Sequence, residues 1–390
     1  MTLFNFTIVS AILLLFLGRP VGNLLGIGEV GFIFAGLVLL FCSILASIQR
    51  YGVNALGRSA LVIPYILFVA VRGLSQVITL PDPETLQIIL HGFIALSLPW
   101  LIYIALSAAG NATSQMMIYR VASPLLLVSA ALSVLYFYFD FTLWGAIQHD
   151  IYTEAIHENE AIERRAIGLL SSPQSHALSM VALFLIGAAR LRRRERLGLI
   201  EILLSLAGGI LSGSKAYLLG VLVMFAITMP LRYAFMMFVV AFTIYLTLAD
   251  VIFDEGFRAF SIFEVVQNID QYSATPLWRA ALGFATNAPT LLFGLGVGVM
   301  GSISEALAYS PLEYSSTESY FLQLVVELGS VGSLLFALAL WSVVRQSKGY
   351  HERMLPILPF VINGIFTPAL YGVGNAVIFG LLLAQKRGRN

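Results

Sequence analysis

The chain is poor in two things that soluble proteins and secreted scaffolds depend on. It has one cysteine, Cys42, in 390 residues, so neither an intramolecular disulfide nor a thiolate metal cluster can form. Charged residues make up 11%, less than half of the roughly 25% that coats a water-facing domain. The formal charge is +1, from 22 Lys and Arg against 21 Asp and Glu, which provides no general phosphate field and excludes a nucleic-acid binder. No H-x-x-x-H, H-E-x-x-H or D-x-D spacing occurs, so no metal site and no cofactor are expected. Tandem repeats, low-complexity tracts and convincing inverted halves are also missing.

What is abundant is apolar side chain: 59% of residues, with a mean hydropathy of +0.89. That combination predicts an integral membrane protein. At about 20 residues per span, a dozen spans would use roughly 240 residues and leave about 150 for loops, which excludes a single-span anchored enzyme. Apolar runs broken by charge, Pro or Gly predict helices near 2–17, 30–48, 59–80, 85–107, 118–139, 173–189, 198–213, 216–230, 233–253, 320–344, 354–371 and 373–385. The run from Leu3 to Leu17 reads as the first helix and not as a removable signal peptide, because its n-region "MT" carries no Lys or Arg. The runs 2–17, 198–213 and 373–385 are short for a hydrocarbon core of about 30 Å, which suggests tilted or half-length helices. The expected fold class is all-α: one membrane domain over 1–390, a polytopic helical bundle of about 12 transmembrane helices.

Orientation follows from the placement of Lys and Arg. Fifteen of the 22 cations, including "RLRRRER" (190–196) and the C-terminal Lys386, Arg387 and Arg389, fall on one side with only Glu195, Glu201 and Glu352. That side is expected to be cytoplasmic and to hold both termini. The "RLRRRER" run is read as a topology anchor against anionic lipids and nothing more. The opposite side holds Arg19, Arg72, Arg164, Arg165, Lys215, Arg258 and Arg279 among a surplus of acids. Two segments there, 140–172 and 254–319, are too long for plain turns. The first contains "DIYTEAIHENEAIERRAIG", whose apolar residues recur at near-helical spacing and predict an amphipathic helix on the membrane face. The second alternates aromatic residues with charges, as short helices dipping into the interface would.

Several residues there could carry chemistry, and each has a plainer reading. Arg164 and Arg165 could be a solvated helix end paired with Glu160 or Glu163. Lys215, at the tight turn "LSGSK", could be a snorkelling head. Arg279, between Trp278 and Ala280, lies in an apolar segment where an unpaired guanidinium calls for an anion. Together with Arg258 and Arg72, these cations are what a diphosphate held at the membrane boundary would require, since Arg offers a fork to phosphate oxygens and stays charged. Glu318, at the start of "ESYFLQLVVELG", is either a first-turn helix acid or a general base. Glu327, inside the same span, needs a partner or a proton. His176 is the histidine best placed for a functional role, against a satisfied polar residue at a helix entry. Tyr320 and other aromatics could stack on sugars or anchor the interface. "GLGVGVMG" (294–301) reads as a tight, close-packed bend and not as a nucleotide loop.

The order of four short motifs resembles the O-antigen polymerase and O-antigen ligase superfamily of bacterial inner membranes. They are "RRAIGLLSSPQ" before a span, "LSGSKAYLLG" at a turn, "LWRAALGFATNAPTLLFGLGVG" and "STESYFLQLVVELGSVGSLLFALAL", and the resemblance covers about 163–340. Where that family commonly has "RxxG…NPN" this chain has Arg165, Gly168, Ser172, Pro173 and Gln174. Its Ser-Arg pair is here Ser214 and Lys215, which keeps the charge and loses the fork. The ligase branch typically has His-Asn where this chain has Glu318 and Ser319, a departure that favours the polymerase branch.

The resemblance implies a metal-independent, inverting, membrane-embedded glycosyltransferase. It would join oligosaccharide repeat units carried on undecaprenyl diphosphate at the periplasmic face, and both donor and acceptor would be such lipid-linked glycans. Membrane lipids and a regulator of chain length are its further partners. On this reading Glu318, Arg279 and Arg165 are catalytic, and Arg164, Lys215, Arg258, Arg72, His176 and Tyr320 bind substrate. The alternatives are a ligase transferring finished glycan to lipid A core, and a transporter or flippase of lipid-linked glycans.

Overall fold

A computed structural model of the chain describes residues 3–26, 29–52, 57, 59–79, 82–139, 166–170, 172–228, 278–279, 283, 288–300, 319–345, 350–367, 370 and 372–384. Among them every regular element is helical. The order is α1 (Leu3–Leu25), α2 (Val30–Tyr51), α3 (Val62–Thr79), α4 (Pro83–Ala109), α5 (Asn111–Met116), a π-helical turn (Met117–Ala122), α6 (Ser123–Phe139), α7 (Pro173–Arg192), α8 (Leu197–Leu211), α9 (Lys215–Thr228), α10 (Ala288–Phe293), α11 (Tyr320–Arg345), α12 (Tyr350–Phe366) and α13 (Val373–Leu383).

Seven stretches are long and apolar enough to cross a membrane: α1, α2, α3, α4, the continuous Thr113–Phe139 stretch, α7 and α11. By helix length and hydropathy this is a multi-pass membrane protein. Its surface agrees. Val30, Phe34, Val38, Phe41 and Leu45 stand exposed along α2, and Leu67, Val71, Leu74 and Ile78 along α3. Stripes of that length at helical spacing are tolerable in hydrocarbon and would be an aggregation surface in water.

Among the described residues three helices form the interior: most of α4, α7 and α13 is buried, and each is predominantly apolar, as a surrounded helix must be. Asp82 caps α4, accepting from the Thr85 N–H at 2.7 Å and its hydroxyl at 2.6 Å, and Pro83 at the first helical position gives up no hydrogen bond. Against α4 pack α2, α3 and α13; against α7 pack α6, α8, α9 and α12. Close approach relies on small residues. A Cβ on Gly380 of α13 would sit 2.6 Å from the Pro99 carbonyl of α4. In the α7–α8 hairpin Gly187 and Gly198 face each other's carbonyls, and the Ser205 hydroxyl donates to the Met180 carbonyl at 3.0 Å. Tyr65, Trp100 and Phe336 meet edge to face and tie α3, α4 and α11 together.

Three boundaries differ from the sequence expectation. The first helix runs to Leu25 and not to 17, because Gly18 lies against Phe32 of α2 and the chain passes through Pro20 still helical. The stretch expected over 118–139 starts at Asn111, after a positive-φ Gly110, and is continuous through the π-helical turn. The helix expected over 354–371 is Tyr350–Phe366, ending before the residue that precedes Pro368, where the proline ring disfavours helical backbone. The expected span 233–253, residues 140–165 and most of the 254–319 segment lie outside the described residues; the end of the expected amphipathic stretch, 166–168, is irregular and not helical.

Candidate functional site

Up-and-down chain direction gathers the α3–α4 turn, residues 166–170, the α8–α9 turn, the start of α11, the end of α12 and the start of α13 at one end of the bundle. Backbone contacts join them. The Ala166 N–H donates to the Leu211 carbonyl at 2.8 Å, and the Tyr320 N–H to the Thr367 carbonyl at 3.3 Å. Gly374 of α13 lies against Leu170.

The most unusual element at this end is a broken helix. At Gly329, α11 leaves helical geometry with φ 67° and ψ −169°, which frees carbonyls that a span in hydrocarbon cannot leave bare. The glycine-rich segment after α10 quenches them. Leu295 N–H donates to the Val326 carbonyl at 2.7 Å and Gly296 N–H to the Glu327 carbonyl at 3.1 Å. Gly294, Gly296 and Gly298 all have positive φ, at 72°, 133° and 79°, and Gly298 lies directly against Ile88 and Gly92 of α4. At about 1.5 Å of rise per residue, that contact is roughly 8–14 Å along α4 from Pro83. Gln76 of α3 grips Val297 at both backbone groups, accepting its N–H at 2.7 Å and donating to its carbonyl at 3.4 Å. Glu327 is fully buried and accepts the Met300 N–H at 3.2 Å, and it lies within electrostatic reach of Tyr65 and Tyr320.

Arg72 stands beside this segment, half-buried, donating to the Gly294 carbonyl at 3.3 Å. Its Nε is buried without a hydrogen-bond partner, and among the described residues no carboxylate lies within ion-pair distance of it. Arg279 is exposed, next to a half-buried Trp278. Lys215 opens α9 directly after the buried Ser212 and Ser214. Tyr320 is 2% exposed and His176 is 0%, so neither offers an open face in this arrangement. Tyr320 packs against Phe321 and Phe336, and His176 lies under residues 168–169, with its Nδ1 3.4 Å from the Ser129 hydroxyl. Glu318, Arg164, Arg165 and Arg258 lie outside the described residues.

At the opposite end, the reading of "RLRRRER" as nothing more than a lipid-facing anchor is corrected for Arg190. Arg190 is 7% exposed and lies 3.4 Å from the fully buried carboxylate of Glu201. It also donates to the Tyr119 carbonyl at 2.7 Å, inside the π-helical turn. Glu201 accepts a short hydrogen bond from Ser123, so one ionic cluster joins α6, α7 and α8. The reason is the tight α7–α8 hairpin, which folds the first turn and a half of α8 back onto the last turn of α7. Arg192, Arg193, Arg194 and Arg196 are exposed.

Compared with known protein families and with curated proteins, the chain matches none of them. Sequence reasoning singled out the glycine bend and Glu327. It missed Gln76 and Ser129, polar residues that no spacing rule distinguishes from the other polar residues of their helices, such as Ser75 in α3 and Ser123 and Ser133 in α6.

Proposed function

We propose that this chain is a glycosyltransferase of about twelve spans in a bacterial inner membrane, with both termini cytoplasmic. It joins undecaprenyl-diphosphate-linked oligosaccharide repeat units at the periplasmic face. The observation that best supports this reading is the meeting of separate motif segments at one end of the bundle. "AIG" (166–168) is hydrogen-bonded to the "LSGS" turn through Ala166 and Leu211, and "GLGVG" is hydrogen-bonded to "VELG" through Leu295 and Gly296.

The chemistry is displacement at the anomeric carbon: the acceptor hydroxyl loses its proton to Glu318, and the undecaprenyl diphosphate leaves. Arg165, Arg279, Arg164, Lys215, Arg258 and Arg72 hold the diphosphates, acting as preorganised positive charge where negative charge develops. The deciding experiment is extension of purified undecaprenyl-diphosphate repeat units in vitro. Wild type is expected to extend them in EDTA, while Glu318→Gln and Arg279→Ala lower kcat by about 100-fold or more. Normal extension by both variants would reject the residue roles, and strict dependence on a divalent ion would reject the cation-only site.

The broken α11 with its buried Glu327 favours a second reading, a transporter or flippase of lipid-linked glycans, since interrupted helices and intramembrane acids recur in transport sites. Movement of intact lipid-linked oligosaccharide across proteoliposomes without extension would select it. Transfer of finished chains to lipid A core would select the ligase alternative.

A further inference from the structure

Residues 166–170 run into the bundle as a turn with no regular structure, and what holds it is a small buried polar device. The Leu169 N–H donates to the Ser129 hydroxyl of α6 at 2.9 Å. A serine hydroxyl that accepts from a backbone N–H still has its own proton to place. His176 Nδ1, on α7, stands 3.4 Å from the same oxygen and can take that proton if the imidazole is neutral with its hydrogen on Nε2. Gly168 supplies the fit: a Cβ there would overlap the Ser129 hydroxyl and come within 2.5 Å of His176 Nδ1. Ala166, Leu169 and Leu170 are buried on either side, and the Ala166 N–H is fixed to Leu211. The chain that enters this clamp comes directly from Arg164 and Arg165.

We infer that Ser129 and His176 are positioning residues: they clamp the 166–170 turn through Leu169 and Gly168, and so set where Arg165 meets the lipid-linked diphosphate. This rests on the transferase reading above. It assigns His176 an indirect task in place of substrate contact, and it gives Ser129 a task that sequence alone did not suggest. Loss of the clamp should displace Arg165 from the departing diphosphate and so slow the chemical step, although neither Ser129 nor His176 touches a reacting atom.

The test uses the full-length protein with Cys42 replaced by Ser and a reporter, Ile167→Cys, on the half-buried residue of the turn. Maleimide labelling in membrane vesicles reads the turn, and repeat-unit extension by purified protein reads the reaction. Ser129→Ala, which leaves the Leu169 N–H without its acceptor, and Gly168→Ala, which evicts the turn, are each expected to speed labelling about tenfold. Without the reporter, each should lower kcat for the lipid-linked unit by a similar factor. His176→Leu, which removes the partner of the Ser129 hydroxyl, should act in the same direction, and unchanged labelling in it would remove His176 from the clamp. Labelling unchanged in Ser129→Ala and Gly168→Ala would overturn the clamp. Faster labelling at unchanged kcat would overturn its positioning role. If labelling speeds up but wild type extends nothing, the transferase reading has failed while the clamp stands.

Discussion

Arg190 and Glu201 illustrate how little a charge pattern says about a single residue. In the sequence Arg190 is the first of a cluster of cations and shares its meaning; in the fold it is the one turned inward. A buried pair of this kind is costly to break, about 3–5 kcal/mol when one partner is removed, because the other charge stays behind uncompensated. Glu201→Ala should therefore lower unfolding stability in detergent by about that amount, read by tryptophan fluorescence. Replacing both partners, with Arg190→Met and Glu201→Leu, should recover most of the loss. A single variant as stable as wild type would mean that Glu195, 3.8 Å from Arg190, suffices as partner. The cation count along the chain was legible, but burial was not, since it depends on the hairpin that brings α8 back against α7.

Elements were legible where hydropathy alone decides them and opaque where a local backbone event intervenes. The α3, α7 and α8 ranges follow from apolar runs bounded by charge or glycine. The break in α11 does not, because "VVELGSVGSLL" reads as one continuous helix. Only contact with the α10 segment shows that Gly329 must be left-handed. Gly329→Ala would place a Cβ against the Leu292 carbonyl on a backbone region that is essentially open to glycine alone and costs another residue about 1–3 kcal/mol before any clash. It is expected to destabilise by at least about 2 kcal/mol in the same assay. Gly31→Ala in α2, where an added Cβ meets nothing within 4 Å, should instead be neutral or stabilising by up to about 1 kcal/mol. Equal behaviour of the two variants would contradict the break.

For the whole molecule, composition together with long unbroken apolar runs was enough to predict a helical membrane bundle, because such runs satisfy their own backbone in lipid as helices. The distribution of work between its two ends was only partly visible. Glycine-rich, irregular backbone collects at one end and a buried ionic cluster at the other. The break in α11 also imposes an order on assembly. Its exposed carbonyls are quenched by residues 295–296, which are themselves seated on α3 and α4 through Gln76 and Gly298. α11 thus inherits its stability from helices made more than two hundred residues earlier in synthesis, and it is a dependent late arrival. Gln76→Leu, remote from α11 in sequence, should leave newly made protein stalled with α11 unseated and open to quality-control proteases. Pulse-chase decay of the full-length chain should then be several-fold faster than for wild type, and unchanged decay would show that α11 settles without that foundation.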